Sequence, residues 1–93
     1  MAEPPPPPFT VELSEQVQDD LTRLPELAPA LNAVMLRAAR PLREHLDMGE
    51  EMVLDVHGRR EALTVRLSLW PPDRVRVEGL APGTPVPEGA LVV

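Results

Sequence analysis

The chain has no cysteine, lysine, isoleucine or tyrosine, and its only aromatics are Phe9 and Trp70. Without cysteine there are no disulfides and no thiolate metal ligands, which fits a reducing compartment. Without lysine, all nine cationic side chains are arginines, set against fifteen acids for a net charge of −6 and a pI near 4.8. That balance gives no overall positive field, so a nucleic-acid partner is not expected, although a local basic patch stays open. Thirteen prolines and abundant alanine, leucine and valine accompany the arginines. This is the pattern of a GC-rich coding sequence, so the choice of arginine over lysine carries no functional weight.

Other absences narrow the classes further. No stretch approaches the roughly eighteen uncharged apolar residues of a membrane span. The opening "MAEPPPPPF" has neither a basic nor an apolar section of the kind that starts a secretory signal. A cytoplasmic protein is therefore expected. There is no internal repeat, no glycine-rich phosphate loop, no paired-carboxylate arrangement and no nucleophile motif. An enzyme is not expected, nor a cofactor.

What is present divides into tails and one domain of residues 9–79. Residues 1–8 hold a proline run, Pro4 to Pro8, which favours an extended solvated tail. Residues 80–93 are punctuated by proline and glycine and read as a second tail, whose apolar end, Ala90 to Val93, is expected to pack back as a short strand or fray.

Within the domain, "FTVEL" alternates, with Phe9, Val11 and Leu13 on one side, and predicts a half-buried strand. Ser14 stands where a helix N-cap belongs and Glu15 where the helix dipole favours an anion. A helix over Glu15 to Leu24 puts Val17, Leu21 and Leu24 on one stripe, spaces Asp19 and Arg23 for an ion pair, and stops at Pro25. A second helix is expected from about Pro29. Its stripe is Leu31, Val34, Met35, Ala38, Leu42 and Leu46, continuing in phase past Pro41, where a kink is expected; Gly49 caps it.

From Met52 the apolar period changes to two, which predicts three strands in an antiparallel meander. Requiring apolar residues to meet on one face sets a register. At the first turn Val56 pairs with Leu63, His57 with Ala62, and "GRRE" is the loop. At the second, Leu69 pairs with Val75, Trp70 with Arg74, Ser68 with Arg76, Arg66 with Glu78, and "PPD" is the loop. The order β-α-α-β-β-β then implies an α+β two-layer sandwich, an antiparallel meander covered on one face by two helices.

The charged face of that sheet holds the candidate residues. Asp55 and His57 share it, and an aspartate–histidine pair can orient a general base. No nucleophile accompanies them, and His45 offers no zinc spacing, so His57 is read as structural or solvated and no metal is expected. Arg59, Arg60, Arg66, Arg74 and Arg76, with Trp70, would make a patch for phosphate, an acidic partner or single-stranded nucleic acid, although acids are interleaved. A lone tryptophan at a strand end beside arginine is the sharper sign of a contact surface, so Trp70, Arg66, Arg74 and Arg76 are the candidate partner-binding residues.

"FTVELSEQVQDDLTRLPELAPALNAVML" resembles the start of the RelE/ParE toxin superfamily through Val11, Leu13, Ser14, Asp20, Leu21, Leu24 and Pro25. The resemblance implies a strand, two helices and an antiparallel sheet. It also implies a ribonuclease or related effector, with Arg66, Arg74, Arg76 and His57 at the basic positions of the sheet. "LNAVMLRAARPLREHL" is similar to small phage tail-completion proteins, which implies a structural role. The chemistry absent from the chain favours a third expectation, a non-catalytic interaction module that binds a protein partner or a second copy of itself.

Overall fold

The computed structural model describes residues 9–83 and 85–93, so the proline run of residues 1–8 lies outside it. The elements are β1 (Thr10–Leu13), α1 (Glu15–Arg23), α2 (Leu27–Asp47), β2 (Met52–Gly58), β3 (Leu63–Trp70), β4 (Arg74–Pro82) and β5 (Leu91–Val92). The protein is an α+β two-layer structure with both helices on one face of a sheet ordered β1-β4-β3-β2-β5. β2, β3 and β4 form the expected antiparallel meander. β1 runs parallel to β4 and β5 parallel to β2, so the sheet is mixed.

The helices form where their apolar stripes and caps direct. The Ser14 hydroxyl accepts from the Val17 N–H at 3.2 Å and donates to the Glu78 carbonyl at 3.2 Å, while the Ser14 N–H donates to the Val77 carbonyl at 3.0 Å. One side chain thus caps α1 and ties it to β4. The acid that pairs with Arg23 is Asp20, at 2.7 Å, rather than Asp19; three residues on a helix bring side chains together as well as four do. Leu24 is the C-cap of α1 and exposed, whereas Val17 is fully buried.

α2 begins at Leu27, two residues before the expected Pro29. Pro29 lies in the first turn, where its missing N–H has no bond to lose. The helix passes Pro41 without interruption, and Gly49, at φ +76°, closes it with its N–H on the Leu46 carbonyl. Leu31, Val34, Ala38, Leu42 and Leu46 are buried as the stripe predicts, joined by Leu27.

These side chains meet the inner face of the sheet: Val56, Leu63, Val65, Leu67, Leu69, Val75 and Val77, all buried. Removing each such leucine or valine from water is worth about 1.5–3 kcal/mol. Phe9 joins this core, but Val11 and Leu13 stay exposed, because β1 is the edge strand.

The register at the second turn is the expected one: Leu69 with Val75, Trp70 with Arg74, Ser68 with Arg76 and Leu67 with Val77. Beyond it a bulge intervenes. Arg66 pairs with Gly79, and Glu78 is the extra residue, so the expected Arg66–Glu78 pairing does not form.

The first turn is shifted by two residues from the expected register. Val56 pairs with Val65, His57 with Thr64 and Gly58 with Leu63, and the loop is residues 59–62 instead of "GRRE". A slip of two keeps every side chain on its own face, so facing alone did not distinguish the two registers. Gly58 and Ala62 do. Gly58 lies so close beneath α2 that a Cβ there would stand 2.3 Å from Val34 Cγ2, so that strand position has no room for a side chain. Ala62 ends the loop in the left-handed region, at φ +48°.

Residues 80–82 and 91–92 belong to the sheet. β4 extends to Pro82, and the Leu91–Val92 pairing realises the packing expected of Ala90 to Val93. Since β4 and β5 run the same way on opposite sides of the β3–β2 pair, the chain between them must cross the sheet. It does so over the outer face, where Pro87 lies beside Asp55, Thr64 and Arg66.

Candidate functional site

That crossing divides the outer face in two. At the hairpin end His57 and Thr64 are only 5% and 6% exposed, although they belong to the face turned away from the helices. His57 Nδ1 and Thr64 Oγ1 are 3.0 Å apart, a cross-strand hydrogen bond. Asp55 is on the same face, as the alternation predicts, but it is taken by Arg66, in a two-pronged pair: Nε to Oδ1 at 2.9 Å and Nη2 to Oδ2 at 3.1 Å. The aspartate and the histidine therefore each hold another partner. The bonded Arg66 guanidinium lowers the Asp55 pKa below its ordinary 3.8, and the carboxylate in turn raises that of Arg66. No group of three or more acids and histidines could hold a metal ion among the described residues. No described helix is long and apolar enough to cross a membrane.

At the other end the face is open. Trp70 is 44% exposed, and Val53, its diagonal neighbour across Ser68, is 64% exposed. Around them stand the candidate arginines, each already paired. Arg74 meets Glu12 of β1 at 3.3 Å, Arg76 meets Glu78 of the bulge at 3.2 Å, and Arg66 holds Asp55. All four candidate residues, Trp70, Arg66, Arg74 and Arg76, thus share one exposed surface whose local charge is largely cancelled. The bulge explains the exchange of partners: it frees Glu78 from the position opposite Arg66 and leaves it beside Arg76.

Arg59 and Arg60, grouped with these by the sequence, are elsewhere. They sit in the β2–β3 loop, at the far end of β3 from Trp70. There the loop is tied to α2 by an ion pair between Arg37 and Glu61. The Arg37 hydrogen bond holds the Glu61 carboxyl below its usual range, and the charge of Arg60 adds a smaller part.

The sequence reading missed the Arg37–Glu61 and Arg74–Glu12 pairs. Both join elements whose adjacency depends on the whole topology. For the second a signal was available: Thr10 and Glu12 alternate as Arg74 and Arg76 do, and placing the acid of the first strand beside the arginines of the last meander strand orders β1 next to β4. No protein-family model, no curated protein and no solved structure gives a significant match to the chain.

Proposed function

We propose that the protein is a non-catalytic interaction module that docks a protein partner on the open half of its outer sheet face. One observation carries this reading: the only tryptophan lies 44% exposed beside an exposed valine, on the same face as three arginines whose charges are already matched. Tryptophan, an apolar neighbour and a polar rim rich in arginine are the composition of an interface centre. Because Asp55, Glu12 and Glu78 neutralise the rim, recognition relies on shape and apolar contact more than on charge.

The test is retention of a partner by the immobilised protein and by its Trp70→Ala variant, with circular dichroism to verify the fold. An anchoring tryptophan contributes about 2 kcal/mol or more, so the variant should bind roughly thirty-fold more weakly. Light scattering of the purified chain reads whether the partner is a second copy. A strict monomer whose Trp70→Ala variant retains every partner of the wild type ends the proposal.

A second reading, an effector of RelE/ParE type, is favoured by the common exposed face of Arg66, Arg74 and Arg76. The fourth residue of that set, His57, is covered. Growth arrest on induced expression, relieved by replacing the three arginines with glutamine, is its expected signature.

A further inference from the structure

The open half of the outer face offers apolar surface and hydrogen-bond donors but little charge. The Trp70 indole N–H donates only, and a guanidinium carries five donors and no acceptor. Arg74 and Arg76, on the same face, meet Glu12 and Glu78 through Nε, at 3.3 Å and 3.2 Å, so these carboxylates are engaged and the local charge is cancelled. Such a face suits a ligand that is uncharged, apolar and rich in acceptors. A proline run has those properties: ring surface, one carbonyl per residue and no N–H.

The chain carries such a run, Pro4 to Pro8, just before β1. The topology brings the end of that run close to Trp70. Thr10 pairs with Arg74, and Arg74 pairs with Trp70, so the three share one face on neighbouring strands. The Thr10 N–H donates to the Asp73 carbonyl at 2.7 Å, and Phe9 is buried in the core, so the point where the run joins the domain is fixed. Strands about 4.8 Å apart put Trp70 roughly 10 Å from Thr10. A polyproline II run from Pro4 to Pro8 spans about 15 Å, enough to reach Trp70 and lie against it.

We infer that Pro4 to Pro8 dock on Trp70 of the same molecule, with their rings on the indole and their carbonyls accepting from the indole N–H and from Arg74. The inference rests on the reading of the Trp70 face as a docking surface, and gives that surface an occupant of its own which an incoming partner must displace. Aromatic surfaces take polyproline segments because these are stiff before they bind and so lose little entropy. One tryptophan on a sheet face holds a free peptide weakly. A short tether supplies an effective concentration in the mM range, so a contact with a dissociation constant of about 1 mM is roughly half occupied.

Trp70 reports on this contact directly, since the chain has no second tryptophan and no tyrosine. The experiment compares acrylamide quenching of its fluorescence in the wild type and in the variant Pro4→Ser/Pro5→Ser/Pro6→Ser/Pro7→Ser/Pro8→Ser. The first strand begins at Thr10, so the variant keeps the fold, as circular dichroism verifies. Loss of a half-occupied cover should raise the quenching constant about 1.5- to 2-fold, and the difference should hold over about two decades of protein concentration, as for an intramolecular contact. The Trp70 indole ¹H–¹⁵N signal should move between the two proteins, while the Arg59 amide, at the far end of β3, stays in place. Equal quenching in the two proteins overturns the proposal. A difference that grows with concentration also overturns it, because the run then covers a second copy. No partner enters this measurement, so its failure leaves the Trp70→Ala retention test standing, and failure of that test leaves the quenching difference standing.

Discussion

Gly58→Ala is the substitution on which the packing argument is most exposed. An added Cβ would meet Val34 Cγ2 at 2.3 Å, Glu61 Oε2 at 2.9 Å and Arg37 Nη2 at 3.5 Å. Carbon atoms in contact prefer about 3.5–4.0 Å, so strand and helix would have to part by more than about 1 Å. Val34 cannot turn aside: it is fully buried, and a β-branched residue on a helix is confined to one χ1 well. Overpacking of this kind costs about 1–3 kcal/mol. The backbone of Gly58 is not in the left-handed region, so no further strain is added. Alanine's smaller unfolded-state entropy returns about 0.4–1 kcal/mol. The net expectation is a loss of about 1–2 kcal/mol in urea unfolding followed by circular dichroism.

A double-mutant cycle isolates the cause. Val34→Ala alone removes the atom in the way and leaves a small void, at about 1–3 kcal/mol. With both changes the new methyl group enters that void, so the double variant should be more stable than the sum of the singles by about 1 kcal/mol or more. Wild-type stability for Gly58→Ala, or additivity within about 0.5 kcal/mol, would refute the close approach of β2 and α2.

Other substitutions probe different links. Ser14→Ala removes the α1 cap and a bond to the Glu78 carbonyl, and should cost about 1–2 kcal/mol by the same unfolding measurement. Ala62→Gly relieves a left-handed residue at φ +48° and should raise stability by about 0.5–1 kcal/mol, read as a higher urea midpoint. Asp55 has a folded pKa below its unfolded 3.8, so its pairing with Arg66 stabilises the fold fully above that value and is lost as pH falls through the folded one. In Arg66→Gln the Asp55 carboxyl should therefore titrate at higher pH, followed by carboxyl ¹³C shifts. The stability difference from wild type should be small, because the pair is largely solvated, and should vanish in acid.

Much of the fold could be read from periodicity. The α2 stripe from Leu31 to Leu46 and the rows from Leu69–Val75 to Leu67–Val77 are where the spacing put them, because a helix or a tight turn is set by its near neighbours. The first hairpin was harder. Both registers keep Val56 and Leu54 inside, and the deciding fact is that Gly58 passes under Val34, a contact across twenty-four positions of chain. The covering of His57 was illegible for a similar reason. Nothing local states that Pro87 returns over the outer face instead of leaving it. Of the candidate surface, exposure of Trp70 and the common face of the three arginines followed from alternation, whereas their acid partners depended on a bulge and on the neighbour chosen by β1.

The placement of β1 also bears on whether the chain can be divided. β1 and α1 come first in sequence but pack on β4, more than sixty positions later, with Thr10 beside Arg74 and Ser14 bonded to Glu78. The helical first part has no sheet of its own, and the meander has no lid of its own. A cut at the exposed turn of residues 49–51 therefore does not fall between modules, despite its position near the middle of the chain. Two pieces made there should each be unstructured alone and regain helical circular dichroism only when mixed, as complementary fragments of one indivisible unit.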